Sequence, residues 1–327
     1  MLLKRMLSLA GAAIALAFLA PAQAQVPAGF PDKPVRMVVP APAGSGPDSL
    51  GRVLGKKLSN QWGQPVIIEN IVGAGGNIGH EKGAKSAPDG LTLVMGLIGP
   101  MSVSPSLQEK MPFDPVKDLA PVTMLVKVPN ILVVNPKVPV KNFAEFIAYG
   151  KANPDKLRYG YPGSGTSLHL AAEQLNMAAG TKFKGIPYKA SGQMTTDVLG
   201  GHIEFIFHNA SVVNPHIKSG ALRSLGITSM HRNAAAPDIP TLNESGLTGF
   251  EITSWYAMYV PAATPKPIVA KLNADIAKAL ASPEIQEWMT AQAGEAGGGS
   301  PEELAAFQAA ETIKWKKLIT SANIKAD

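Results

Sequence analysis

Residues 35–62 read VRMVVPAPAGSGPDSLGRVLGKKLSNQW, and their pattern indicates the architecture of the first half of the chain. A run of apolar residues leads into a loop of Pro, Ala, Gly and Ser, and the loop leads into a segment with the apolar spacing of a helix. The chain continues with an expected strand at 66–69, a small-residue loop at 73–77, a helix ending at Ala87 and a strand at 91–95. This alternation predicts a βαβαβ unit on a parallel sheet.

The same order of elements recurs in the second half of the chain. We expect, in order, a strand at 158–161, a loop at 163–167, a helix to 179, a strand at 184–188, a loop at 189–193, a short helix ending at 200–201 and a strand at 203–207. Parallel sheets bind ligands at the carboxyl ends of their strands. Two such units facing each other would enclose a cleft, and loops rich in backbone N–H groups that lead into helices suit an anion.

Extended apolar segments at 122–135 and 252–260 follow the first and the second unit. Two such crossings predict an α/β fold of two domains, with the ligand cleft between domains that are joined by two crossing strands. After the second crossing, helical spacing is found at 271–281, 283–292 and 301–320, and the glycine run 297–299 is expected to be a loop between helices.

The expected domains are discontinuous. Domain 1 comprises residues 30–123 plus 251–327, and domain 2 comprises residues 124–250. A side-by-side arrangement of two continuous domains is the alternative.

The first 24 residues have the pattern of a secretory signal peptide. Lys4 and Arg5 precede an apolar run at 6–20, and residues 22–24 read Ala-Gln-Ala, which is a cleavage site. The apolar run is too short for a membrane anchor. We therefore expect cleavage after Ala24, a mature chain that begins at Gln25 and a periplasmic location, which suits a chain without cysteine.

The charge of the chain argues against a nucleic-acid partner. Without Lys4 and Arg5 there are 28 basic residues against 24 acidic ones, and these charges are scattered. The 303 residues that follow position 24 are more than one ordinary domain needs.

The sequence contains partial matches to three enzyme motifs, but each match lacks a required residue. Residues 44–49 and 73–78 each lack the third Gly of a dinucleotide-binding fingerprint, and residues 46–52 end in Arg where a P-loop has Lys. Ser164 and His169 are the one nearby pair that would suit a hydrolase or an isomerase, but Ser164 does not stand in a nucleophile elbow. We therefore expect a non-enzymatic protein without a cofactor.

The six His residues form no H-E-x-x-H motif. His202 and His208 would share one face of a strand, but without cysteine a metal site is disfavoured. We expect no metal.

Several long motifs resemble one family. The chain is similar to the substrate-binding proteins of tripartite tricarboxylate transporters, also called the Bug family, at 30–48, 65–70, 73–79, 159–169, 187–191, 215–220 and 237–242. The similarity covers nearly the whole mature chain. It implies an α/β, two-domain fold of the periplasmic-binding-protein type (type II-like). It also implies a hinge-closing extracytoplasmic receptor, expected to be a monomer, that delivers a small organic acid to a membrane permease.

The resemblance also implies a set of ligand-binding residues. In the family, one carboxylate is held by the loop that corresponds to 40–48, and the other end of the ligand is held by the second half. The residues carried over are Ala43, Gly44, Ser45, Asp48, Gly76 and Asn77 for domain 1, and Ser164, Gly165, Thr166, Ser167, His169, Tyr188 and Ser191 for domain 2. Asp48 has the alternative role of a helix cap and His169 that of a packing residue. The side chain of Trp255 or of Tyr256 would form the floor of the cleft.

One departure from the family concerns His208. The family commonly carries an Asp after the strand 203–207, suited to a ligand ammonium group, where this chain has His208. Because an imidazole does not replace a carboxylate as an ammonium partner, we expect an acid without an α-amino group. We also expect His208→Asp to weaken binding of that acid.

The sequence thus favours a receptor for a dicarboxylate, including an aromatic dicarboxylate. The same loops would suit a tetrahedral oxyanion such as a phosphonate or sulfate, which is a first alternative. A sensory receptor that passes its ligand signal to a membrane kinase is a second alternative with the same fold.

Overall fold

The computed structural model of the protein describes residues 26–188, 191–233 and 235–325. The expected signal peptide therefore lies outside the described residues. The described part of the chain contains ten strands, which are β1 Val35–Val39, β2 Val66–Asn70, β3 Thr92–Leu97, β4 Leu119–Val134, β5 Arg158–Tyr161, β6 Lys184–Pro187, β7 Phe205–Asn209, β8 Arg223–Ile227, β9 Thr253–Pro261 and β10 Glu295–Gly298.

The described part of the chain also contains ten α-helices. They are α1 Gly46–Trp62, α2 Asn77–Ala84, α3 Ser104–Leu107, α4 Phe143–Ala152, α5 Ser167–Ala179, α6 Ser191–Gly200, α7 Ala210–Lys218, α8 Lys266–Leu280, α9 Pro283–Ala291 and α10 Pro301–Ala322. A 3₁₀ turn, Ala74–Gly76, precedes α2, and a π-helical turn, Gly99–Val103, precedes α3. None of the helices in this part of the chain is both long and apolar enough to cross a membrane.

The α/β architecture predicted from the sequence is confirmed. The sheet runs in the order β2-β1-β3-β9-β4-β7-β5-β6, and β8 and β10 pair with β4. In the first unit β1 lies parallel between β2 and β3, and in the second unit β5 lies parallel between β6 and β7. The carboxyl ends of the strands within each unit therefore meet at one edge of the sheet.

Helix α1 shows how the opening stretch folds. Leu50, Leu54 and Leu58 recur every four residues, and all three are fully buried against the first unit. The helix ends at Gly63, which adopts a left-handed conformation with φ 67° and donates its N–H to the carbonyl of Ser59. The loop before α1 is thereby fixed between a strand and a buried helix.

The two extended crossings pair with each other. Strand β4 is antiparallel to β9 from the Leu119–Pro261 pair to the Pro129–Thr253 pair. Its remaining residues, 130–134, pair with β7 and β8 of the second unit. One long strand therefore belongs to both halves of the sheet.

Helices α8 and α9 pack on the first βαβαβ unit. In α8 and α9, Asp275 accepts a hydrogen bond from Trp62 Nε1 at 2.7 Å, and Trp288 Nε1 donates to Ser49 at 2.9 Å. The expected loop at 297–299 is in part a strand, because β10 pairs antiparallel with β4, with Gly298 opposite Met124. Glycine makes this pairing possible, since a Cβ at Gly297 would collide with the backbone of Met124 and Leu125.

Candidate ligand-binding cleft

A cavity of about 660 Å³ lies where the carboxyl ends of the strands of both units meet. Its walls come from the segments that follow β1, β2, β3 and β5, together with the end of β7 and part of β9. The lining residues are Pro47, Ala74, Gly75, Leu97, Ile98, Gly99, Pro100, Ser104, Leu107, Gln108, Pro162, Gly163, Ser164, Gly165, Thr166, Ser167, Leu168, Asn209, Ser254 and Tyr256. The cavity is thus built by both βαβαβ units.

The turn between β2 and α2 forms one part of the wall. Ala74, Gly75 and Gly76 all have positive φ values, of 47°, 65° and 103°. This left-handed run is accessible to glycine, and it places the backbone of Ala74 and Gly75 at the cavity. A Cβ at Gly76 would lie 3.0 Å from the carbonyl oxygen of Pro40, so the turn packs directly on the segment that follows β1.

His80 holds this turn against the end of β3. Its side chain is fully buried; Nδ1 lies 2.9 Å from the carbonyl oxygen of Gly76, and Nε2 accepts the N–H of Leu97 at 3.3 Å. The ring is therefore neutral, with its proton on Nδ1. Burial lowers the pKa of His80 to about 4 and outweighs the hydrogen bond to Gly76, which acts in the opposite direction.

Asp48 fixes the loop that follows β1. Its carboxylate is 2% exposed and accepts hydrogen bonds from Gly44 N at 2.8 Å, Arg52 Nε at 3.0 Å and Asn70 Nδ2 at 2.9 Å. Burial opposes ionisation, but these hydrogen bonds and the charge of Arg52 outweigh it and hold the pKa of Asp48 below its usual value. The carboxylate stabilises the loop shape and does not line the cavity.

The segment from Leu97 to Gln108 forms another part of the cavity wall, and no sequence motif marks it. Gln308 of α10 holds it from behind, because Nε2 donates to the carbonyls of Met101 at 3.1 Å and Pro115 at 3.4 Å. Oε1 of the same side chain accepts from the hydroxyl of Tyr259 at 2.9 Å. Gln108 faces the cavity from this segment and accepts a hydrogen bond from Asn77 Nδ2 at 3.0 Å.

The second unit contributes the loop before α5. Thr166 caps the helix by accepting the N–H of His169 at 3.4 Å. Gly165 has φ 79°, and its N–H points to Nδ1 of His169 at 3.2 Å. The His169 ring is 6% exposed and stacks on Tyr161 with 4.1 Å between the ring centroids. His169 therefore supports the loop from within the domain.

Strand β9 supplies the floor of the cleft. Ser254 and Tyr256 point into the cavity, and Ser254 Oγ lies 2.8 Å from Ser167 Oγ, so the floor is tied to the start of α5. Trp255 points to the opposite face, where it packs on Phe307 and donates to Glu311. Of the two aromatic residues considered for this role, the structure places Tyr256 at the cleft.

Four of the residues carried over from the family line the cavity, and these are Ser164, Gly165, Thr166 and Ser167. Six others lie in the segments around it without lining it, and these are Ala43, Gly44, Ser45, Asp48, Gly76 and Asn77. Tyr188 lies further away, where its hydroxyl donates to Asp197 at 2.8 Å, and Ser191 begins α6.

His208 does not reach the cavity. Its side chain is 4% exposed on the face of β7 opposite the cleft, and its Nδ1 accepts the N–H of Asn209 at 2.8 Å. Asn209 lines the cavity instead. Burial lowers the pKa of His208 to about 4, so the ring is neutral. The strand ends at Asn209, two residues beyond the expected end, so His208 lies within β7 and not in the loop after it.

The cavity wall carries no charged side chain among the residues that the structure describes. Neutral groups surround the space, namely backbone N–H groups near helix starts, hydroxyls and amides, with apolar side chains such as Ile98, Pro100 and Leu107. Within the described ranges, no group of three or more His, Asp or Glu side chains is arranged to hold a metal ion. This arrangement can bind an anion by dipoles while contacting apolar atoms of the ligand.

Comparison with known proteins shows the family of the chain. A family model described as the tripartite tricarboxylate transporter family receptor matches residues 50–324. Protein BugT of Bordetella pertussis is 36% identical over 323 residues, covering 98% of each chain. The structure of Rpa4515 of R. palustris with adipate is 32% identical with a TM-score of 0.82, covering 90% of this chain and 99% of that one. MatC of Rhodopseudomonas palustris with bound malate is 29% identical with a TM-score of 0.76, covering 89% of this chain and all of that one.

The fold and the cleft together define a solute-binding receptor of the periplasmic type. Within that class, the chain belongs to the tripartite tricarboxylate transporter receptor family, which includes the Bug proteins.

Proposed function

We propose that the protein is a periplasmic receptor that captures an extended organic acid with two acidic ends, a dicarboxylate or an aromatic dicarboxylate, and delivers it to the permease of a tripartite tricarboxylate transporter. It acts by binding and release and not by catalysis. The proposal includes cleavage of the first 24 residues and action as a monomer.

The observation that carries the proposal is the composition of the cavity wall. Helix starts and N–H-rich turns reach the cavity from both units, at Ala74 and Gly75 on one side and at Thr166 and Ser167 on the other. An anionic group is stabilised at such places by unpaired N–H groups and the helix dipole. Two anion-binding places on opposing walls suit a ligand with an acidic group at each end.

The apolar part of the cavity wall supports the same ligand class. Ile98, Pro100 and Leu107 line the cavity together with the polar groups. Such a wall suits the carbon chain or ring of a dicarboxylate and offers little to a compact tetrahedral oxyanion. The related proteins Rpa4515 and MatC, which are described with adipate and with malate, fit this class.

The proposed domains are residues 30–123 plus 251–327 and residues 124–250, closing on the ligand around β4 and β9. Contacts already join the two parts, because Ser211 donates to Gln292 at 2.6 Å and Asn233 donates to the carbonyl of Ala293 at 2.6 Å. Closure would bring the two anion-binding walls together and remove water from the ligand.

A thermal-shift screen of the mature protein, followed by calorimetric titration, tests the proposal. The panel contains mono-, di- and tricarboxylates, aromatic acids, phosphonates and sulfate. A dicarboxylate is expected to raise the melting temperature, because a ligand that binds only the folded state stabilises it. Binding of a tetrahedral oxyanion in preference to every dicarboxylate would contradict the proposal.

Small-angle scattering tests the proposed closure. The radius of gyration is expected to fall when the binding dicarboxylate is added at saturation. An unchanged radius with measured binding would mean that the cleft does not close.

A further inference from the structure

Asn130 is an amide with an unused donor directly beneath the cleft. Its side chain is fully buried, and its Nδ2 group has no hydrogen-bond partner among the described residues. An unpaired buried amide is unfavourable, because it has lost its hydrogen bonds to water without gaining others. Such a group in a folded protein calls for an explanation.

The position of Asn130 in the sheet connects it with the ligand. Asn130 of β4 lies directly opposite Asn209 of β7, and residues that are directly opposite in an antiparallel pair project from the same face. Asn209 lines the cavity and donates from Nδ2 to Asn130 Oδ1 at 3.4 Å. The two amides therefore form one unit, with Asn209 at the cavity and Asn130 beneath it.

The backbone around this pair is fixed on both sides. Asn130 N–H donates to Thr228 Oγ1 at 2.8 Å, and the carbonyl of Asn130 accepts the N–H of Thr228 at 2.9 Å. The N–H of Asn209 is held by the ring of His208 at 2.8 Å. The backbone N–H groups of Asn130 and Asn209 are therefore already paired.

The groups that remain at the pair have a definite chemistry. With one hydrogen bond between the two side-chain amides, Asn209 keeps its Oδ1 acceptor and one N–H, and Asn130 keeps both N–H groups of Nδ2. Because Asn209 lines the cavity, its remaining donor and its acceptor are presented to a ligand at the same point. A hydroxyl group satisfies both, because it donates one hydrogen bond and accepts others.

Other substituents fit this point less well. A methylene group would leave the amides unpaired when the cleft closes over it. An ammonium group would bring three donors and a positive charge, and the described wall has no acidic side chain to balance that charge.

We infer that the Asn130–Asn209 pair determines specificity by selecting an acid that carries a hydroxyl group on its carbon chain, over the matching unsubstituted acid and the matching amino acid. The inference rests on the proposed function, because it names the substrate class of the same cleft. Asn209 contacts the ligand, and Asn130 positions Asn209 by accepting its hydrogen bond.

Calorimetric titration with matched acids tests the inference. The probes are succinate, malate and aspartate, and then glutarate, 2-hydroxyglutarate and glutamate, so that each trio differs at one carbon. At the chain length that binds, the wild-type protein is expected to prefer the hydroxy acid to the unsubstituted acid at least tenfold, which corresponds to about 1.4 kcal/mol. The amino acid is expected to bind more weakly than the hydroxy acid.

Two variants separate the pair from the rest of the cleft. Asn209→Leu is expected to bring the ratio of the two affinities close to one, while the affinity for the unsubstituted acid changes less than about threefold. Asn130→Leu, which has a similar volume, is expected to reduce the ratio as well. Ser104→Ala, on another wall of the cavity, is the control and is expected to leave the ratio unchanged. Melting temperatures verify that each variant is folded.

The outcomes distinguish this inference from the proposed function. Equal binding of unsubstituted and hydroxylated acids by the wild-type protein, or an unchanged ratio in folded Asn209→Leu, would overturn the inference and leave the receptor function intact. Failure of the folded wild-type protein to bind any dicarboxylate, including adipate and aromatic diacids, would overturn both.

Discussion

Leu107 lies against Gly165 across the cleft. A Cβ built on Gly165 would come within 2.8 Å of Leu107 Cδ1 and 3.1 Å of Val103 Cγ1. The segment after β3 and the loop before α5, which belong to different βαβαβ units, therefore touch at Gly165. A side chain at this point would require Leu107 to move.

We predict that Gly165→Ala weakens ligand binding by at least about tenfold, because the added methyl group meets Leu107 and opposes approach of the walls. The control is Gly163→Ala, since Gly163 also has a positive φ, of 113°, but has nothing within 4 Å of an added Cβ. Both variants carry backbone strain of about 1 kcal/mol or more. Titration calorimetry of both variants measures the difference.

The double variant Gly165→Ala with Leu107→Ala is expected to recover part of the lost affinity, because it removes the side chain that the methyl group meets. If both single glycine variants lose the same affinity, the contact between the walls has no part in binding.

The stability of the protein is expected to fall between pH 7 and pH 5 because of His80 and His208. Each has its pKa lowered to about 4 by burial, below the usual value near 6.5. The unfolded chain therefore takes up protons on these residues before the folded protein does, so stability is complete above about pH 6.5 and is lost as the pH falls toward 4. The expected loss at pH 5 is about 2 kcal/mol for each residue.

Urea denaturation at pH 7 and pH 5 measures this effect. His208→Leu removes one of the two groups and is expected to halve the loss of unfolding free energy between the two pH values. His202→Ala is the control, because that residue is exposed. A pH dependence that His208→Leu leaves unchanged would show that the ring at 208 does not titrate in this way.

Asp48→Asn is expected to lower the free energy of unfolding by about 2–3 kcal/mol. The carboxylate accepts three hydrogen bonds in a buried position, and an amide nitrogen would face two of those donors. Binding is expected to weaken as well, because the loop after β1 loses its anchor. Asp89→Asn, in an exposed turn, is the control for chemical denaturation. Unchanged stability of Asp48→Asn would contradict the anchoring role.

Gln308→Leu is expected to loosen the cleft wall from behind. The side chain holds Met101 and Pro115 by their carbonyls and accepts from Tyr259, and all of these bonds are lost in the variant. We expect a loss of about 2–3 kcal/mol in unfolding free energy together with weaker binding. Faster amide hydrogen exchange at 99–107 is the specific readout, and Lys316→Ala on the exposed face of α10 is the control. Unchanged exchange in that segment would contradict the role of Gln308.

The sequence predicts the strands and helices well where a periodic pattern is bounded by glycine or proline. The strand 158–161 and the helix that follows Thr166 are found as expected, because an apolar run and a capping residue mark their limits. The prediction of a loop at the glycine run 297–299 was wrong in part. Glycine suits a loop in general, but here it allows β10 to lie directly against β4.

The cleft is only partly predictable from the sequence, for a geometrical reason. Whether His208 or Asn209 faces the ligand depends on the face of β7, and an error of one residue exchanges the two faces of a strand. The wall from Leu97 to Gln108 has no motif of its own, and its shape depends on Gln308, which lies 200 residues further along the chain. Contacts of this kind are decided by tertiary packing.

The uncharged wall of the described cavity also has a kinetic consequence. Attraction by dipoles falls off with distance more steeply than attraction between full charges, so the walls act on a ligand only after it has entered. We therefore expect the rates of capture and release to depend little on ionic strength. Such a receptor would bind its ligand similarly at low and at high ionic strength. Release of the ligand would not require breaking an ion pair.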